Sequence, residues 1–168
     1  MTNSPTKKPF VNPETGRISI TEAFGENLAI LLAKKISTVY KKFDSKGFIR
    51  ATKDEVVGKS YTQRVEIIAN LLKHYLPEKY IEALAILLKI LGPENEEETV
   101  MFTHFYWLMP VGKFVEKYGL DNFSESIHAI EEITKRNTGE YAIRPFARTY
   151  PAKTLAACTK WAKSKNFH

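Results

Sequence analysis

The spacing of apolar residues is the feature of this 168-residue chain that most constrains its fold. Apolar side chains recur three and four residues apart along most of the chain, as they do on one face of an α-helix. Helix-stopping residues separate the clearest runs, at Leu76-Pro77, Gly92-Pro93 and Gly119. No segment alternates apolar and polar residues as a half-buried strand would. The sequence therefore predicts an all-α fold of about seven to nine helices joined by short turns.

Capping and stop signals predict where individual helices begin and end. Ser19–Glu22 has capping-box spacing and predicts a long amphipathic helix that continues to Phe43. A weaker helix over 44–60 is expected to break near Gly58. Pro110 is expected to kink or split the helix that contains it. Further starts are expected at capping side chains or first-turn prolines, namely Pro77, Asn95 with Glu98, Asn122 with Glu125, Thr138 and Pro151.

The order of these helices indicates antiparallel pairs. This favours a stack of helical hairpins over a four-helix bundle, although the sequence contains no strict repeats. Residues 1–18 are rich in Pro, Asn and Thr and show little pattern, so they are expected to form a flexible N-terminal arm. The folded domain is assigned to residues 19–168.

Composition and spacing argue against several classes of protein. A single cysteine, Cys158, excludes an intrachain disulfide framework and fits a reducing compartment. No apolar run approaches the ~20 residues that a membrane span requires. The histidines His74, His104 and His128 lack ligand spacing, so no metal site is expected. We predict a cytoplasmic protein without metal or cofactor, and we find no phosphate loop or dinucleotide fingerprint.

Charge is distributed unevenly along the chain. The formal net charge is +6, yet residues 54–134 carry 14 acidic and seven basic side chains. Residues 135–168 carry eight basic side chains and one acid, Glu140. A basic segment of this kind is typical of a surface that faces a polyanion. Solvated, scattered lysines would give the same count, so both interpretations remain open at this point.

The single acid of the basic segment lies in a distinctive helical position. If 138–150 is a helix, Glu140, Arg144 and Arg148 share one face. Glu140 precedes Arg144 by four residues, which is the favourable order for a helical ion pair. The first interpretation is a surface ion pair. The second is an acid in a basic groove, where the arginines bind phosphates and the carboxylate faces a cationic substrate or a developing positive charge.

The last predicted helix, over 151–164, carries a stripe of basic residues that continues past its end. The stripe is either a solvated face or a phosphate-binding surface with salt-dependent affinity. Its members are Lys153, Lys160, Lys163, Lys165 and His168. The other side of this helix is expected to be apolar and to consist of Leu155, Cys158 and Ala162, with Trp161 at the border.

One short motif resembles a known family. The string Glu140-Tyr-Ala-Ile-Arg-Pro-Phe146, followed by Tyr150-Pro, Thr154-Leu and Trp161-Ala, resembles the DNA alkylation repair proteins of the AlkC type. These are relatives of the AlkD glycosylases. Supporting similarities extend the resemblance over about residues 20–168, for example Met109-Pro-Val111.

The resemblance implies a right-handed solenoid of HEAT-like (ARM-type) antiparallel helical hairpins with a basic concave face for duplex DNA. It implies hydrolysis of the N-glycosidic bond of cationic alkylated bases such as 3-methyladenine, without a metal or cofactor and without full base flipping. Glu140 would be the acid that stabilises the oxocarbenium-like sugar. Arg144 and Arg148 would contact phosphates, as would the basic stripe of the last helix.

The resemblance also implies a missing region. Members of the family continue beyond the position of His168 into an Arg-rich segment and further repeats, which supply an aromatic residue and a second acid. The chain would then be either a fragment or a naturally shortened protein. We therefore expect this chain alone to be a poor or inactive glycosylase. A non-enzymatic helical module that binds nucleic acid backbone, and a scaffold that binds a protein partner, are the alternatives.

Overall fold

The computed structural model describes residues 19–95 and 104–163, which form helices and turns without a β-strand. The all-α prediction is confirmed. The α-helices in chain order are α1 (Ile20–Ala23), α2 (Glu26–Val39), α3 (Ser45–Glu55), α4 (Tyr61–Tyr75), α5 (Tyr80–Lys89), α6 (Met109–Tyr118), α7 (Phe123–Thr134), α8 (Glu140–Thr149) and α9 (Pro151–Ala162). No helix in this part of the chain is long and apolar enough to cross a membrane. The predicted arm, 1–18, lies outside the described residues.

The long helix predicted from Ser19 to Phe43 is instead two helices. Ser19 does cap α1, because its hydroxyl accepts the Glu22 backbone N–H. The chain then leaves helical geometry at Phe24 and Gly25, and α2 ends at Val39. The break buries the Phe24 ring completely, with its centroid 5.8 Å from each of the Tyr61 and Tyr106 rings. Burial of a whole aromatic side chain outweighs the loss of one helical turn.

The weak pattern over 44–60 corresponds to one well-capped helix. The Asp44 carboxylate accepts the Gly47 N–H at 2.9 Å and starts α3. The helix ends at Glu55, before Gly58, whose φ of +69° is readily available only to glycine. A capping box that the sequence analysis missed then starts α4, since Ser60 and Gln63 each bond to the other's backbone N–H.

Several predicted starts need correction. Pro77 lies in the turn before α5, which begins at Tyr80, and is not part of its first turn. Pro110 does not kink a helix, because it lies in the first turn of α6 where its missing N–H costs nothing. A separate short 3₁₀ helix, Tyr106–Leu108, ends directly before α6, which agrees with the alternative that the helix is split here. Asn122 is the N-cap of α7 but its side chain makes no capping hydrogen bond, so that capping box is wrong. The start predicted from Asn95 with Glu98 falls partly outside the described residues.

The helices pack in two ranks, as expected for a stack of helical pairs. The helices α4, α6 and α8 contact one another in succession and form what we term the inner rank. The helices α2, α5, α7 and α9 do the same and form the outer rank. Packing within the inner rank is the more extensive of the two. Phe48, Phe114 and Phe146 are fully buried in the core.

A buried hydrogen-bond chain joins the two ranks at the turn after α6. The Ser126 hydroxyl donates to the Gly119 carbonyl at 2.8 Å, so the Tyr80 hydroxyl, 2.7 Å away, must donate to Ser126. A Cβ atom at position 119 would collide with both hydroxyl oxygens. Glycine is therefore required here by close approach, since its φ of −96° is ordinary.

The Tyr80 phenol should make stability depend on pH in the alkaline range. Burial raises the pKa of Tyr80 to about 12. The unfolded chain loses this proton near pH 10, so the free energy of unfolding should fall as the pH rises from about 10 to 12. Tyr80→Phe should flatten that fall and cost about 1 kcal/mol at pH 8 through the lost hydrogen bond.

Urea unfolding at pH 8 and pH 11 measures both effects. Tyr141→Phe is the matched control, because Tyr141 is 52% exposed. An identical alkaline fall in the wild-type and Tyr80→Phe proteins would contradict the assignment.

Candidate nucleic-acid interface

The helix α8 presents the predicted acid and arginines on its exposed side. The helix begins at Glu140, whose backbone N–H donates to the Thr138 hydroxyl at 3.2 Å. Gly139 forms the N-cap, where a Cβ atom would collide with the Thr134 hydroxyl. The buried residues of α8 are Ala142 and Phe146. Phe146 is fully buried, whereas Ile143 and Tyr150 are only half-buried.

Glu140 forms an ion pair with Arg144, so the carboxylate has the partner that the helical spacing predicts. The Glu140 Oε1 atom lies 2.5 Å from an Arg144 guanidinium nitrogen. The two side chains remain 64% and 48% exposed, respectively. The Arg144 guanidinium also lies 4.4 Å from the centroid of the exposed Tyr141 ring. An exposed pair of this kind contributes at most about 1 kcal/mol, so either partner can leave it for a ligand.

The predicted basic stripe of the last helix lies on a different element and in the other rank. Lys153, Lys160 and Lys163 are exposed on or just after α9. The Lys153 ammonium lies 5.7 Å from the centroids of both the Phe123 and Tyr150 rings. Arg148, like Arg144, is exposed on α8. Lys165 and His168 lie outside the described residues.

The apolar face predicted for the last helix is wrong in two of its three positions. Leu155 is 69% exposed and Ala162 is exposed, while Cys158 is half-buried. The side that packs on α7 and α8 instead includes Thr154, which is 3% exposed, and Trp161. Pro151 fixes the first turn of this helix, and neighbouring helices cover only one side of it. Hydrophobicity alone could not show which side that is.

Two basic residues of the C-terminal segment have structural partners. Lys135 lies 2.6 Å from the Glu132 carboxylate, and Arg136 is only 7% exposed. Arg136 donates to the carbonyls of Gly92 and Pro93, as well as to Glu132. Burial alone raises the pKa of Glu132, but hydrogen bonds from Lys135 and Arg136 outweigh that and lower it overall. These two cations therefore contribute less to an external basic surface than the charge count suggested.

A groove that the sequence analysis did not predict crosses the inner rank and reaches the start of α8. Its volume is about 230 Å³, and it is lined by residues of α4, α6 and the start of α8. Tyr61 and Tyr141 supply aromatic surface, and the Lys113–Glu116 pair lies 2.7 Å apart along its wall. Gly112 leaves the groove open because it has no side chain. That glycine, inside an otherwise regular helix, was the one sequence signal that could have indicated the groove.

The charges of the inner rank are arranged as neighbouring ion pairs. In addition to Glu140–Arg144 and Lys113–Glu116, the Lys117 ammonium lies 2.5 Å from the Glu66 carboxylate. The hydrogen bond from Lys117 lowers the pKa of Glu66. Such a surface can bind phosphates through its cations and a cationic group through its carboxylates and tyrosines. Among residues 19–95 and 104–163, no cluster of His, Cys, Asp or Glu could hold a metal ion.

This fold belongs to a class of all-helical proteins that includes DNA glycosylases. The structure matches that of the Pseudomonas fluorescens alkylpurine DNA glycosylase AlkC bound to DNA containing an abasic site analog, with a TM-score of 0.75 and 25% sequence identity. That match covers 88% of this chain and 39% of AlkC. The uncharacterized protein YhaZ of Bacillus subtilis (strain 168) is 30% identical over 155 residues, which is 89% of this chain and 40% of YhaZ. The chain thus spans about two fifths of either protein, and no protein-family model matches it.

Proposed function

We propose that this chain is the DNA-binding part of an AlkC-like alkylpurine DNA glycosylase. Its partner would be duplex DNA that contains cationic alkylated bases of the 3-methyladenine type, and its reaction would be hydrolysis of their N-glycosidic bond. The likeness to AlkC, bound to DNA at an abasic site analog, is the observation that carries this proposal. A cytoplasmic location is part of the same proposal.

The chemistry of the inner rank supports this choice. An alkylated base leaves as a neutral molecule, so the barrier lies mainly in the positive charge that develops on the deoxyribose. A carboxylate close to that sugar stabilises the charge and can hold the attacking water. Glu140 is exposed, its sequence neighbour Tyr141 lines the groove, and the carboxylate needs only to separate from Arg144. Its duty in the reaction would be electrostatic stabilisation of the sugar cation.

The arginines of α8 would position the duplex. Once a phosphate replaces the Glu140 carboxylate beside Arg144, the guanidinium keeps an anionic partner and the carboxylate is released toward the lesion. Arg148 would contact the next phosphate, since it is exposed one helical turn further along α8. The lysines on or just after α9 (Lys153, Lys160 and Lys163), together with Lys165 and His168, would add contacts to the flanking DNA backbone.

The salt dependence of duplex binding tests this positioning. Arg144→Gln together with Arg148→Gln should weaken binding to an undamaged duplex and reduce the slope of log K against log[salt] by about 1.8, the value for two lost phosphate contacts. Lys79→Gln, a change at an 81% exposed cation on the turn before α5, should leave the slope unchanged. Fluorescence anisotropy at four salt concentrations provides the slopes.

Either of two results would contradict the proposal. Binding that does not depend on salt would exclude a DNA interface and favour a protein-binding scaffold. Tight, salt-dependent binding without any preference for lesions would instead favour the non-enzymatic nucleic-acid module.

A further inference from the structure

A second cavity, which is basic, lies in the outer rank, away from α8. It has a volume of about 450 Å³ and lies between the second half of α2 and the end of α5. Three lysines line it, Lys34 and Lys35 from α2 and Lys89 from α5. No carboxylate of the described residues lines it, and we term it the lysine cavity.

The three lysines of this cavity lack a carboxylate partner, unlike several other lysines of the described residues. Lys113, Lys117 and Lys135 each have a carboxylate within 4 Å. Within residues 19–95 and 104–163, neither Lys34, Lys35 nor Lys89 has one. Three ammonium groups around one cavity repel one another unless an anion joins them.

Lys35 is held in place by its surroundings. Its ammonium lies 4.4 Å from the centroid of the buried Trp107 ring. This contact restrains a side chain that would otherwise be flexible, and so reduces the entropy lost when a ligand binds. Burial also lowers the pKa of Lys35, which an anion beside it would oppose.

We propose that the lysine cavity is a binding site for a phosphate group. Lysine ammonium groups bind phosphate as point charges and without demanding a particular orientation, which fits an open cavity with three of them. The cavity lies in the outer rank, whereas the proposed DNA contacts of α8 lie in the inner rank. None of the residues that line the cavity is among the proposed DNA contacts of α8 and α9, so this proposal does not rest on the glycosylase proposal. Its phosphate could come from a nucleic-acid backbone or from a free phosphate compound.

Titration of the whole chain with two probes tests the proposal. Inorganic phosphate and a 12-nucleotide single strand would each be added to ¹⁵N-labelled protein, with amide shifts followed at 31–38 and 89–92. We expect saturable shifts there with at least one probe. Lys34→Gln, Lys35→Gln and Lys89→Gln combined should weaken that binding at least ten-fold, whereas Lys79→Gln should change it less than two-fold. Lys35→Arg, which keeps the charge, should retain most of the affinity.

The two probes distinguish the sources of the phosphate. Saturation by inorganic phosphate alone would support a site for a free phosphate compound. Loss of oligonucleotide affinity in the triple variant, without saturation by inorganic phosphate, would support a nucleic-acid backbone. The proposal would be overturned if neither probe shifts these amides, or if the triple variant binds both as tightly as wild type. Unchanged amide spectra outside the cavity verify that the variants are folded.

Discussion

In a version of the protein long enough to release 3-methyladenine from methylated duplex DNA, Glu140→Gln is expected to lower that release by about 10²-fold. This is the effect of removing one preorganised electrostatic group from an active site. The substitution keeps the shape of the side chain and removes its charge. It should change the free energy of unfolding by less than about 0.5 kcal/mol, because the ion pair with Arg144 is exposed. Affinity for undamaged duplex should be equal or higher, since Arg144 is freed for phosphate. Single-turnover release with the protein in excess measures the rate.

The matched control is Glu82→Gln. Glu82 is also an exposed acid in a helical ion pair, 3.4 Å from Lys79, but it lies in the outer rank on α5. It should release 3-methyladenine at the wild-type rate. Equal rates for wild type and Glu140→Gln would mean that Glu140 only forms a surface ion pair with Arg144, and would remove the main support for a catalytic role.

Arg136→Ala is expected to lower the free energy of unfolding by about 3 kcal/mol, because it removes a buried cation and leaves its acceptors without a partner. Arg136 donates to the carbonyls of Gly92, Pro93 and Glu132 and to the Glu132 carboxylate. It thereby ties the loop after α5 to the end of α7. The corresponding loss in melting temperature is about 10 °C for a domain of this size.

Arg148→Ala is the control for Arg136, since it truncates an exposed arginine in the same segment of the chain. It should change stability by less than about 0.5 kcal/mol. Calorimetry or urea unfolding of both variants gives the comparison. A loss below 1 kcal/mol for Arg136→Ala would mean that water satisfies the freed carbonyls and that the network contributes little.

The apolar periodicity predicted the all-α fold because each helix buries one face, and the residues on that face must be apolar. Leu72, Leu87 and Ile130 are fully buried, and each belongs to a run of apolar residues at helical spacing within its own helix. That pattern could be recognised without any tertiary information. The break at Phe24 was not readable, because it depends on rings of Tyr61 and Tyr106 that are distant in the sequence. Likewise, the buried side of α9 depends on where α7 and α8 lie, which periodicity cannot convey.

The candidate site could be predicted only where its residues are close together in the sequence. Glu140 and Arg144 are one helical turn apart, so their spacing predicted the ion pair that the structure contains. The groove beside them joins α4, α6 and α8, and Tyr61 is 80 positions before Tyr141. Counting charges could not distinguish Arg136, which is used inside the fold, from Arg148, which is exposed. The roles of both arginines of α8 in binding DNA remain predictions.

The most direct test of the central claim, that the Glu140 carboxylate faces a cationic deoxyribose, is a comparison of two DNA duplexes. One carries a neutral abasic-site analogue and the other a positively charged one whose sugar ring contains a protonated nitrogen. The wild-type chain should bind the charged analogue at least about ten-fold more tightly, equivalent to about 1.4 kcal/mol. Glu140→Gln should remove that preference without weakening affinity for the neutral analogue. Equal binding of the two duplexes by the wild-type chain, or an undiminished preference in Glu140→Gln, would contradict the account.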